Sequence, residues 1–196
     1  MTSIAADRPA TVRTRAELRG RATGSGILAF FAVGWTGCGI SDLPSTVGLA
    51  LLAVAGLTSV TVAALAIRNA RRAATAPEGG ESARGKATGR RFGLVVTAEW
   101  IGIFVAVRIL GAYGYTELIP SAIALAVGLH FFPLARLFGV RAYHLTGTAL
   151  CLIALATALL VPLTGTDALG TTLPGFGSAL VLYATCAHLL RTHTTR

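Results

Sequence analysis

Charge, lysine and paired cysteine are the scarce features of this 196-residue sequence. Charged residues make up 13% of it, half of the roughly 25% found in an average soluble domain. Set beside 54% hydrophobic residues and a mean hydropathy of +0.69, that scarcity excludes a soluble globular enzyme and a disordered chain. Cys38, Cys151 and Cys186 stand singly and far apart. No C-x-x-C pair exists, so thioredoxin-like and zinc-ribbon readings lose their support, and a disulfide-rich secreted module is excluded. Also missing are a P-loop, a dinucleotide fingerprint, G-x-S-x-G, H-E-x-x-H and an aspartate-rich lipid-phosphate motif. The sequence therefore implies no catalytic residues, no cofactor and no metal, and the chain is not expected to be an enzyme.

What is present is apolar sequence in long runs. A spanning helix needs about 20 mainly apolar residues, and six segments qualify: 25–42, 45–67, 93–113, 118–138, 143–163 and 172–190. The expected fold is all-α, a six-transmembrane-helix bundle built as three antiparallel hairpins. The first span is the weakest, because Gly34, Gly37, Gly39, Thr36 and Cys38 dilute it. Residues 1–24 read as a disordered basic tail, 25–190 as one transmembrane domain, 69–91 as a disordered basic loop and 191–196 as a second tail. The tail has five arginines and no apolar core, so it is not read as a cleavable signal peptide.

Orientation follows from the basic residues. Net charge is +9, from 17 Lys+Arg against 8 Asp+Glu. On a soluble domain this would suggest nucleic acid. Here 16 of the 17 lie in the tails, the 68–91 segment and the Arg136/Arg141 connection, while the three opposite connections carry only Asp42, Glu117 and Asp167. No nucleic-acid partner is expected. The positive-inside rule places both termini in the cytoplasm. Lys86 is the single lysine, a bias that suits a GC-rich bacterial genome and hence a bacterial inner membrane. With Cys151 and Cys186 in the inner half and Cys38 near the outer end, no stable disulfide is expected.

Each even-numbered span begins near a proline in an outer turn: "SDLPSTVG", "TELIPSAIA" and "GTTLPGFGS". Pro44, Pro120 and Pro174 would suit first helical turns, where the missing N–H costs nothing. Small residues crowd the second span, which favours close helix packing and allows an oligomer.

Two ionisable residues fall inside the third span. Intramembrane charges cost about 3 kcal/mol or more and call for a named partner. Glu99 and Arg108 lie on opposite faces, nine residues or about 180° apart, so they cannot pair with each other. Residues at equal depth in an antiparallel hairpin have numbers summing to twice its turn centre, here near 115. Glu99 is then level with about residue 131, one position from His130, and Arg108 with about residue 122, one turn from Glu117. The expectation is a Glu99–His130 polar centre in the inner half and an Arg108–Glu117 pair near the outer surface. The plainer reading of Arg108 is anchoring in the headgroups beside Tyr113 and Tyr115. His130 precedes Pro133, which frees the Leu129 carbonyl and should kink the helix. His144 and His188, with Cys151 and Cys186 nearly level in the last hairpin, form a fainter cluster without a recognised metal spacing.

The stretch "GLHFFPLARLFGVRAYHLTG" resembles a central motif of small bacterial multi-pass membrane proteins that have no assigned activity. The resemblance covers spans three to five at most and implies membrane location.

Two functions fit the residues. One is a small transport or permeation protein, proton-coupled, centred on Glu99 and His130. The other is a non-catalytic membrane subunit or scaffold, whose small-residue faces and basic loop bind lipids, a partner membrane protein or further copies of the chain.

Overall fold

A computed structural model describes residues 15–72 and 82–191. These form six helices and no strand among the described residues: α1 Arg15–Gly39, α2 Ser45–Arg72, α3 Ser82–Ala112, α4 Ile119–Phe138, α5 Ala142–Thr164 and α6 Leu169–Arg191. A short 3-10 turn, Thr116–Leu118, leads into α4. Five helices, α2 to α6, are long and apolar enough to cross a membrane; α1 has the length, at 25 residues, but not the hydropathy. The pattern is that of a multi-pass membrane protein.

Three helices run further into the polar segments than hydropathy indicated. α1 starts at Arg15, α2 ends at Arg72 and α3 starts at Ser82. Parts of the 1–24 and 69–91 segments expected to be disordered are therefore helical. Ala and Arg are good helix formers, and a hydropathy window registers apolarity rather than helicity. The remainder of both segments, and the tail beyond 191, lies outside the described residues. Pro120 sits in the first turn of α4 and Pro44 just precedes α2. Pro174 departs from that scheme. α6 begins at Leu169, so this proline lies inside the helix and is buried. Gly139 and Gly165 end α4 and α5 at φ 63°, a left-handed cap that returns their N–H groups to Ala135 and Val161.

The helices pack in the order α3, α4, α5, α6, α1, α2, with α4 also touching α6 and α2 also touching α6. The most extensive contact joins α1 to α6, elements far apart in sequence. There a Cβ on Gly175 would run into the backbone of Gly39 and the Trp35 carbonyl. The α4–α5 crossing is equally tight: a Cβ on Gly128 would lie 2.7 Å from Cys151 Sγ and 3.0 Å from the Gly147 carbonyl. Small residues permit such approach, and van der Waals contact between backbones is the reward. The buried core lies along α1, α4, α5 and α6, with Ala32, Ala124, Leu150, Leu182, Cys186 and Leu189 at or near zero exposure.

α2 and α3 flank this core. α2 presents Ala55, Ser59, Val62 and Ala66 inward, and exposes Leu49, Val54, Leu57 and Val60. Among the described residues α3 packs chiefly on α4 and the adjoining turn, and no residue of its most apolar stretch is fully buried. At one end of the bundle the three acid-bearing connections meet. Thr171 donates to Asp42, and the Glu117 carbonyl lies against Gly170. At the other end Arg21, Arg141 and His188 surround a cleft.

Candidate functional site

α3 is amphipathic only in the sense of covered against uncovered. Val95, Glu99, Ile103, Ala106 and Leu110, spaced by three or four residues, are partly covered, whereas Leu94, Trp100, Ile101, Phe104, Arg108 and Ile109 are exposed. That spacing is one helical face. Because α4 is the main helix packed on α3 among the described residues, the covered face is the α4 seam, and Glu99 is the ionisable group within it.

The structure brings Glu99 and His130 together. His130 Nδ1 lies 3.1 Å from Glu99 Oε2, with the two side chains 11% and 15% exposed. The contact is close but oblique, since Nδ1 makes no hydrogen bond of acceptable direction; a turn of the imidazole would be needed to align it. The ring packs edge-on to Phe131, centroids 6.0 Å apart, and Phe131 packs in turn on Tyr143 of α5 at 5.5 Å. Pro133 stands inside α4, which continues past it to Phe138.

This arrangement suits the handling of one proton. A neutral acid facing a neutral imidazole, and a carboxylate facing an imidazolium, have the same composition and the same net charge. Either keeps an isolated charge out of an apolar seam. Moving the proton from one partner to the other within an aligned hydrogen bond shifts it by only about 1 Å, whereas adding or removing a proton charges the pair and requires access to water.

Arg108 and Glu117 are not brought together. They form no ion pair, and Arg108 is exposed. The pairing fails because Glu117 belongs to the 3-10 turn, which packs on the ends of α5 and α6 as well as α3 and α4, instead of continuing the α3 face. His144 is exposed, its ring 5.9 Å from that of Phe132, and exposed His188 lines the cleft at the far end of α6. The cysteines go elsewhere: Cys151 packs at Gly128, Cys186 donates to the Ser25 carbonyl at 3.3 Å, and Cys38 lies near the Thr171 carbonyl. Among the described residues no group of three or more His, Cys, Asp or Glu side chains could hold a metal ion.

Two polar nodes escaped the sequence reading. Tyr183 Oη donates to the Ala55 carbonyl at 2.8 Å and sits 2.9 Å from Ser59 Oγ, which donates to the Ala29 carbonyl at 2.9 Å. Two hydroxyl protons thus serve three contacts joining α1, α2 and α6. Thr146 and Thr185 meet at 2.7 Å across α5 and α6. The hairpin arithmetic that paired Glu99 with His130 comes within a turn of this second contact, so a signal for it was available.

Comparison with protein-family models, with curated proteins and with solved structures finds no match for this chain.

Proposed function

We propose that the chain is a six-span protein of a bacterial inner membrane, made of three antiparallel hairpins with both termini cytoplasmic. We propose further that it is a small proton-coupled transport or permeation protein centred on Glu99 and His130. α1 is counted as the sixth span because of where it packs. Ala22, Ser25, Ala29, Ala32 and Thr36 are buried against other helices, so this helix can be less apolar than one surrounded by lipid. Its outward positions Ile27, Phe30 and Phe31 are apolar and exposed. An odd number of spans would also set basic residues on both sides.

The observation that carries the functional reading is the 3.1 Å approach of a carboxyl and an imidazole on two different helices, each mostly covered, in the middle of an apolar seam. Such groups are expensive at membrane depth and default to a role in ion or proton movement. The seam also belongs to the helix that, among the described residues, is held chiefly by one neighbour, so α3 can shift against α4 with fewer contacts broken than a core helix would need.

Reconstitution in proteoliposomes with an imposed proton gradient and an internal pH-sensitive dye tests the reading. Wild-type protein should dissipate the gradient, and Glu99→Gln should not, while remaining monodisperse and helical. Equal flux through wild type, Glu99→Gln and protein-free vesicles would defeat it.

The scaffold reading has its own supporting observation. The outer face of α3, with Trp100, Ile101 and Phe104 each at least 60% exposed, is covered by none of the described residues, and lipid or a second membrane protein would equally suit it. Native mass spectrometry showing a stoichiometric partner, together with no flux, would select it.

A further inference from the structure

The seam between α3 and α4 has a second contact besides Glu99–His130. Phe92 lies seven residues before Glu99 and Phe138 eight residues after His130, and their rings pack at 6.0 Å between centroids, tilted by 57°. Residue numbers thus rise on α3 as they fall on α4, and one register holds across two turns. The aromatic pair sits at the end of the seam that carries Arg90, Arg91 and Arg136. Phe138 is the final residue of α4, with Gly139 following at φ 63°, so its ring stands at the rim.

Distance makes this rim the nearer way in. Glu99 lies about 10 Å along the helix from Phe92, and about 20 Å from the other end of α3 at Ala112. Toward Phe92, the covered positions Val95 and Val96 make a single apolar turn between the carboxyl and the rings. Toward Ala112, Ile103, Ala106 and Leu110 are covered in succession. Adding a proton to the polar pair, or removing one, needs water. The shorter and less obstructed approach for that water passes beneath Phe92 and Phe138.

The two rings also have freedom that core rings lack. Phe92 and Phe138 are 37% and 47% exposed, whereas Phe131 on the same helix is 4% exposed and packed on Tyr143. A half-exposed ring can change rotamer on a fast timescale, while a ring in a close-packed core moves only if its neighbours do. The separation of Phe92 and Phe138 is one at which aromatic rings attract. The closed arrangement is therefore favoured without being locked.

We propose that Phe92 and Phe138 form a gate over the α3–α4 seam, and that its opening admits water to Glu99 and His130. The gate rests on the proton-handling reading for its purpose, and on the ring contact and its register for its position.

The test reads water instead of protons. It uses the full chain in lipid nanodiscs, where both ends of the bundle meet solvent, with Cys38, Cys151 and Cys186 replaced by alanine. Val95→Cys then puts a thiol between the rings and Glu99, and Ile103→Cys puts one beyond Glu99 on the same covered face. A thiol reacts with a charged methanethiosulfonate as its thiolate, so the rate reports water at that depth. Phe92→Leu should speed the reaction at position 95 by roughly two- to tenfold, the population change that the attraction of an aromatic pair commands. Phe138→Leu should match it, and both should leave position 103 unchanged. Phe92→Tyr, which keeps the ring, should react at the wild-type rate, and so should Phe104→Leu, on the exposed face of α3. Equal rates at position 95 with and without Phe92→Leu would overturn the gate, as would equal acceleration by Phe104→Leu or at position 103. Proteoliposome flux separates the two claims: acceleration at position 95 with no proton flux through any variant supports the gate and defeats the transport reading.

Discussion

Replacing Glu99 and His130 singly and together measures what their contact is worth. Glu99→Leu leaves His130 in a seam where its side chain is only 11% exposed, without the oxygen 3.1 Å from Nδ1. A buried polar group deprived of its partner costs about 1–3 kcal/mol. His130→Leu strands the carboxyl, which costs a similar amount if protonated and about 3 kcal/mol if ionised. The double variant has neither orphan and restores an apolar seam between α3 and α4, so its loss should be smaller than the sum. Measured interhelical couplings in membranes average about 0.6 and reach about 1.7 kcal/mol. The expected coupling falls in that range, a factor of roughly three to 20 in the folding equilibrium. Unfolding in mixed micelles with increasing dodecyl sulfate, followed by circular dichroism, supplies the four stabilities. Additivity within about 0.3 kcal/mol would show that the side chains lie side by side without interacting, and the reasoning would fail.

Three further outcomes follow from packing and topology. Gly128→Leu should lower stability by about 1–3 kcal/mol through overpacking, because its Cβ alone meets Cys151 Sγ and the Gly147 carbonyl; Gly102→Ala, with nothing within 4 Å, should be neutral in the same unfolding assay. Tyr183→Phe should cost about 0.6 to 1.7 kcal/mol by removing the hydroxyl shared among Ala55, Ser59 and, through Ser59, Ala29. In a background lacking Cys38, Cys151 and Cys186, single cysteines at 115 and 168 should react with an impermeant reagent in intact cells, and those at 80 and 195 should not; labelling at 195 from outside would reverse the topology.

Particular residues show how far the sequence could be read. Glu99 and His130 were paired by counting from their turn, and this works because the connection is short and the helices on both sides are regular, so depth is fixed to about a turn. Arg108 and Glu117 failed by the same count because Glu117 is in the turn itself, where helical register ends and packing on α5 and α6 decides the path. The α1–α6 contact had no local signal: Gly39 and Gly175 were visible as small residues, but which helix each would meet depends on the whole bundle. Hydropathy likewise placed the apolar spans and missed the polar helical extensions at Arg15, Arg72 and Ser82, since it measures transfer into lipid and those turns lie beyond it. The basic cleft was invisible for the same reason as the α1–α6 contact, because Arg21, Arg141 and His188 come together only after three distant segments have packed.

If the protein moves protons as proposed, one proton is exchanged at Glu99 under the control of His130, inside the membrane. Infrared difference spectroscopy on the reconstituted protein, with pH stepped across the neutral range, reads that proton directly through the carboxylic acid band. The expected result is a protonated-carboxyl signal that disappears in Glu99→Gln and changes frequency or midpoint in His130→Gln. A signal unaltered by both substitutions would contradict it.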